Sequence, residues 1–193
     1  STKNEIQNII LNVEKIIETK IPHKKYSLDN IENKFFDEAK KLLPDQNYVG
    51  FSITQGNEYR KKSWPLNKFI NIAKKISQSN KVPVFLIEKN NKNLINKIKK
   101  EVNNAIFPEL EATLTGPPLV SALSTRLEKV VSIDNGIMHM IALANIPMIV
   151  LFGPTNSKKF APKIDKIDIL DSKLIYDSDD ISQITEDEVL KLI

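Results

Sequence analysis

Apolar residues recur at positions 6, 9, 10, 13, 16 and 17, which is one face of a four-turn helix over residues 4–19. A polar connector, IPHKKYSLD, leads to a second helical stretch, NIENKFFDEAKKLL, stopped by Pro44. We read residues 1–46 as a helical linker and packing segment and residues 47–193 as the main domain. From residue 48 the period changes. YVGFSI (48–53), VPVFLI (82–87), KVVSI (129–133) and PMIVLF (147–152) are short apolar runs that predict buried strands. Between and around them, LNKFINIAKKIS, NKNLINKIKKEV, PPLVSALSTRLE and GIMHMIALAN carry helical spacing. ATLTG (112–116) reads as a weak strand or a turn. ITEDEVLKLI near the end carries a capping box in Thr185 and Glu188.

Strand and helix alternate about five times, which predicts βαβ units and a parallel sheet covered on both faces. The fold class is therefore α/β, a Rossmann-like parallel sheet flanked by helices. In such sheets ligands sit beyond the carboxyl ends of the strands. The loops that matter are then 54–63, 88–92, 115–118, 134–136 and 153–157.

Composition alters this picture little. A net charge of +4 is mild, and the lysines are scattered among Asn, Asp and Glu with no dense basic block, so no nucleic-acid footprint is expected. Zero cysteines exclude disulfides and thiolate-bound metals, which fits a reducing compartment. His23 and His139 stand far apart without an HExxH-type partner, so no metal site is expected. There is no apolar run long enough to span a bilayer and no signal peptide. The chain opens on Ser1, which suggests a processed, trimmed or cloned piece.

Asp134-Asn135-Gly136 allows two readings, a hairpin turn or a strand-to-helix turn with backbone N–H groups facing an anion. Ile137, Met140, Ile141 and Ala144 fall on one helical face, and a hairpin partner should alternate with period two instead. The strand-to-helix turn is the better reading, with Asp134 or Asn135 as N-cap, Gly136 permitting close approach and His139 in the first turn. Plain capping, without a ligand, stays open on these residues alone. FGPTNS (152–157) is a turn in which Thr155 offers a hydroxyl. TQGNEYRKKSWP (54–65) brings Gly56, Arg60, Lys61 and Lys62 to the end of the first strand, as a solvated face or a phosphate site.

The combination KSWPLNKFINIAKKI, then SIDNGIMHMIALANIPMIVLFGPT, resembles glycosyltransferase family 9, the lipopolysaccharide heptosyltransferases, over residues 48–162. The family pattern is K-x-W-P after the first strand and D-[ST]-G-x-x-H…P…FGPT later. Here Asn135 replaces the usual Ser or Thr, and EKNNKN replaces a Gly-rich turn after residue 87. The resemblance implies the C-terminal half of a GT-B glycosyltransferase, which binds a nucleotide-diphosphate-sugar, commonly ADP-heptose, and uses no metal. It places Lys62 and His139 where they stabilise the leaving diphosphate. Thr54, Gln55, Gly56, Asn57, Asp134, Asn135, Gly136 and Thr155 become donor-binding candidates, and Glu88 a candidate for the ribose hydroxyls.

The family's N-terminal domain, which binds the lipid-linked saccharide acceptor and carries the base, is missing from these residues. The chain alone is thus expected to bind without turnover. The implied setting is cytoplasmic, with peripheral association of the full enzyme at the inner membrane face left open. Two alternatives remain: a UDP- or GDP-sugar transferase on the same half-fold, or a non-catalytic domain that binds nucleotide or pairs with a partner.

Overall fold

The computed structural model describes residues 4–22, 27–44, 47–56 and 58–193. The strands are β1 (Tyr48–Ser52), β2 (Val82–Phe85), β3 (Lys129–Ile133), β4 (Met148–Phe152) and β5 (Ile167–Asp171). They form one sheet in the order β2-β1-β3-β4-β5, with every neighbouring pair parallel. β3 and β4 lie side by side in parallel, so Asp134-Asn135-Gly136 is not a hairpin corner.

The helices are α1 (Glu5–Ile17), α2 (Asn33–Leu42), α3 (Leu66–Gln78), α4 (Lys92–Glu101), α5 (Pro108–Glu111), α6 (Pro117–Ser124), α7 (Gly136–Ala142), α8 (Ser157–Phe160), α9 (Ser172–Tyr176) and α10 (Glu186–Leu190). Thr185 and Glu188 form the expected capping box at α10. Three differences from the sequence reading stand out. Residues 112–116 contribute no strand and run into the start of α6. β2 ends two residues early, although Leu86 N–H still donates to Phe51 O at 3.0 Å. β5 was not anticipated, because its Asp168 and Asp171 break the apolar run that marks the other four.

Burial explains why those four were legible. Their side chains alternate between two cores, one on each face of the sheet. Val49, Phe51, Val131, Ile133, Ile149 and Leu151 enter the core under α3, α4 and α10. Tyr48, Val130, Met148, Val150 and Phe152 enter the opposite core with α2, α6 and α7. A strand buried on both faces has no polar side to show, so it reads as a continuous apolar run. Phe51 is the hub of the first core. It stacks on Phe85 at 4.9 Å and meets Phe69 edge-on at 6.3 Å.

The two N-terminal helices behave differently. Ala39 of α2 and Leu43, which caps its end, are buried in the core that α6 shares. α1 buries no residue of its own, and Ile9, Ile16 and Ile17 are 56%, 80% and 50% exposed. It is held at its start, where buried Asn4 caps Ile6 N–H and donates to Ala161 O at 3.1 Å. Among the described residues, no helix is long and apolar enough to cross a membrane.

Candidate functional site

The chain runs from β1 out to β2, then returns to the other side of β1 to lay down β3. The sheet therefore changes direction between β1 and β3, and a crevice opens at their carboxyl ends. Three of the expected loops, 54–63, 134–136 and 153–157, meet there. The crevice, about 350 Å³, is lined by Gln55, Gly56, Lys62, Asp134, Asn135, Gly136, His139 and Thr155, joined by Arg60 and Phe160.

Its centre is one carboxylate. Asp134, directly after β3, accepts from Lys62 Nζ at 2.5 Å and from Thr155 Oγ1 at 2.7 Å, all through Oδ2. The pair is nearly dry, with 13% of the Lys62 side chain and 7% of the Asp134 side chain exposed. Ends of three strands are thus tied by one oxygen. An ammonium carries three donors, and Asp134 occupies one, so Lys62 keeps donors to offer an anion.

Lys62 is aimed by its neighbours in sequence. Lys61 takes a left-handed turn, φ 48°, and Lys62 N–H closes back on Gln55 Oε1 at 2.9 Å. Two residues on, Trp64 is 2% exposed, packs edge-on against Phe69 and donates Nε1 to Ile184 O at 3.0 Å. The tryptophan of K-x-W-P is therefore an anchor in the core, and the lysine is what it holds in place.

Asn135 is the N-cap of α7, accepting Met138 N–H at 2.8 Å. Its amide also donates to Ser52 Oγ and to Thr54 O, each at 2.8 Å, bridging β1 to the start of α7. A Ser or Thr at this position is too short to make both the cap and the bridge, which gives the departure from the family pattern a structural meaning. Gly153, in the FGPT turn, has a different task. A Cβ there would stand 2.7 Å from Ile181 Cβ and 3.0 Å from Asp179 O, so glycine permits that loop to pass.

His139 stands exposed at the rim. Desolvation holds its pKa below the usual imidazole value, Lys62 pushes the same way, and Asp134 opposes both. The ring is therefore biased towards its neutral form, able to donate one hydrogen bond.

Not all candidates gather here. Thr54 contributes its carbonyl to Asn135 and does not line the crevice. Asn57, like His23, lies outside the described residues. Glu88 lines a separate cavity on the other side of α7. Ser52 and Phe160 were not singled out from the sequence. Ser52 is hidden in the apolar run YVGFSI, and its position at a strand's carboxyl end is the signal that points to it.

The fold has counterparts among solved structures. By sequence, none of the curated proteins matches the chain. In fold it is similar to the glycosyl transferase family 9 protein from Veillonella parvula, at 18% identity and a TM-score of 0.81, covering 100% of this chain and 59% of that one. It is also similar to the E. coli heptosyltransferase WaaC with ADP, at 14% identity and a TM-score of 0.73, covering 99% and 56%. A third is the E. coli ADP-heptose lps heptosyltransferase II, at 17% identity and 0.66, covering 84% and 50%. The chain spans between half and three-fifths of the length of these structures. Residues 9–186 match the model of glycosyltransferase family 9 (heptosyltransferase), and the chain belongs to that family.

Proposed function

We propose that the crevice between β1 and β3 binds the diphosphate of a nucleotide-sugar donor, with ADP-heptose as the candidate. The chain would then be the donor-binding part of an inverting glycosyltransferase acting in lipopolysaccharide core or related glycan synthesis. The observation that carries this reading is the Lys62–Asp134–Thr155 cluster at the point where the sheet reverses direction. One neighbour of the same fold, E. coli heptosyltransferase WaaC, is described with ADP in one structure and with ADP-2-deoxy-2-fluoro heptose in a second, which supports the choice of donor.

In the proposed reaction an acceptor hydroxyl oxygen bonds to the anomeric carbon while the bond from that carbon to the diphosphate oxygen breaks. Both bonding electrons leave with the diphosphate, so negative charge grows beside Lys62. A pre-positioned cation in a nearly dry site stabilises that charge without reorganising first. His139 adds a hydrogen bond from the rim. The proton of the acceptor hydroxyl goes to a base that we assign to no residue described here.

Calorimetric titration tests the reading directly. ADP is expected to bind this chain with a dissociation constant below about 1 mM, and UDP and GDP to bind more weakly. Absence of heat with all three would remove the donor assignment.

The lowered pKa of His139 gives the interaction a pH signature. A bound diphosphate raises that pKa, so ADP affinity is expected to strengthen as pH falls through the bound-state value. It levels off below the free-state value. His139→Gln should flatten the component of the pH profile that belongs to the ring. A profile unchanged by that substitution would assign the pH dependence to the phosphate alone.

A further inference from the structure

Residues 178–184, between α9 and α10, back both of the motif loops that reach Asp134. On one side Trp64 Nε1 donates to Ile184 O at 3.0 Å. On the other, Gly153 comes so near that an added Cβ would stand 2.7 Å from Ile181 Cβ and 3.0 Å from Ile181 N. Trp64 lies two residues from Lys62, and Gly153 two residues from Thr155. Lys62 and Thr155 are the side chains that donate to Asp134 Oδ2. In a close-packed interior a shift of 178–184 is therefore carried to both arms of the cluster over a short span of chain.

The segment is held by a lysine. Lys68, in the first turn of α3, donates Nζ to Ser182 O at 2.6 Å and to Ile184 O at 2.8 Å. The same ammonium stands 5.4 Å from the centroid of the Trp64 ring. Ile184 O thus accepts from the lysine and the indole together. The other bonds of the segment are local. Asp180 accepts from Ser182 N–H at 2.9 Å, and Gln183 Nε2 donates to Ser178 Oγ at 3.1 Å. They shape the turn without placing it on α3. Ile181 and Ile184 are buried in the first core, but apolar burial has no direction, whereas charge-assisted hydrogen bonds fix a register. Lys68 itself is not among the residues that line the crevice.

We propose that Lys68 is a positioning residue of the crevice. Its ammonium fixes residues 182–184, and through the Trp64 and Gly153 contacts that segment holds Lys62 and Thr155 in register on Asp134. The effect on ligand binding rests on the donor reading above. The effect on the Lys62 arm rests on the geometry alone.

The test compares the wild type with Lys68→Met, which keeps the aliphatic stem and loses the donors, and with Lys68→Arg, which keeps charge and donors. Calorimetry is expected to show ADP binding about fivefold weaker in Lys68→Met, the lower end of coupling between separate sites. Lys68→Arg should stay within about twofold of the wild type. A second readout needs no ligand. Lys62 N–H donates to Gln55 Oε1, so its hydrogen exchange reports how firmly that loop is closed. Exchange there should be about fivefold faster in Lys68→Met and close to wild type in Lys68→Arg. Faster exchange confined to the buried amides of β3, with Lys62 unchanged, would make Lys68 a structural residue only and overturn the proposal. So would unchanged ADP affinity in Lys68→Met. If the wild type binds no ADP, the donor reading falls, and the Lys62 amide alone decides whether Lys68 sets that arm.

Discussion

Lys62→Ala is expected to raise the dissociation constant for ADP by about 30-fold or more, because truncating one partner of a desolvated charge pair costs roughly 2–5 kcal/mol in binding. The same substitution should lower stability, since Asp134 is buried and would keep only the Thr155 hydroxyl. Breaking a buried pair costs about 3–5 kcal/mol, and the residual Thr155 bond places the expectation at the low end. For a chain of this size that is a fall in melting temperature of roughly 6–12 °C. Stability and binding must therefore be separated. Lys62→Ala combined with Asp134→Asn removes the stranded charge and should recover much of the lost stability while leaving ADP binding as weak as in the single variant. If the double variant recovers binding as well, Lys62 serves only to neutralise Asp134 and has no part in holding a diphosphate.

The second large effect belongs to Asn135. Alanine there removes the cap on Met138 N–H and both donations across to β1, three hydrogen bonds from one side chain. At about 0.5–1.5 kcal/mol each, the loss is roughly 1.5–4.5 kcal/mol. Asn135→Ser is the informative companion. Serine can still accept Met138 N–H, a cap worth about 0.5–2 kcal/mol, but cannot also reach Ser52 and Thr54. Thermal unfolding should place the serine variant between wild type and alanine. A serine variant indistinguishable from wild type would mean that the bridge between β1 and α7 contributes nothing, and that the amide is there for the cap alone.

The parts of the fold visible in the sequence were those whose periodicity comes from burial. β1, β2, β3 and β4 lie between two cores, so nearly every residue is apolar. α3 buries Phe69, Ile72, Ala73 and Ile76 on one stripe, and that stripe is what the spacing displayed. β5, at the edge of the sheet, has exposed Asp168 and Ile169 and lost the signal. The amphipathic pattern of α1 does mark a helix, yet its apolar stripe is not buried, because periodicity reports a face and not what covers it.

At the site, the family motifs led to Lys62, Asp134, Asn135, Gly136, His139 and Thr155, and the structure brings all six to one crevice. Membership of the family is likewise as the motifs suggested. What the sequence concealed is the division of labour within a motif. Trp64 and Gly153 are as prominent in K-x-W-P and FGPT as their neighbours, but they serve packing.

The joint between β1 and β3 also bears on the order in which the molecule assembles. Ser52 and Asn135 are 83 residues apart in the chain, and Lys62 and Asp134 are 72 apart. Local pieces such as α3 with β2 form across short spans, whereas closing this gap carries a chain-entropy cost that grows with separation. The crevice therefore comes into being only when the slowest encounter of the sheet is complete. A diphosphate that spans Lys62 and the start of α7 would clamp the two segments at that joint. Its binding would be felt as a slower opening of the whole sheet rather than as a stiffened loop.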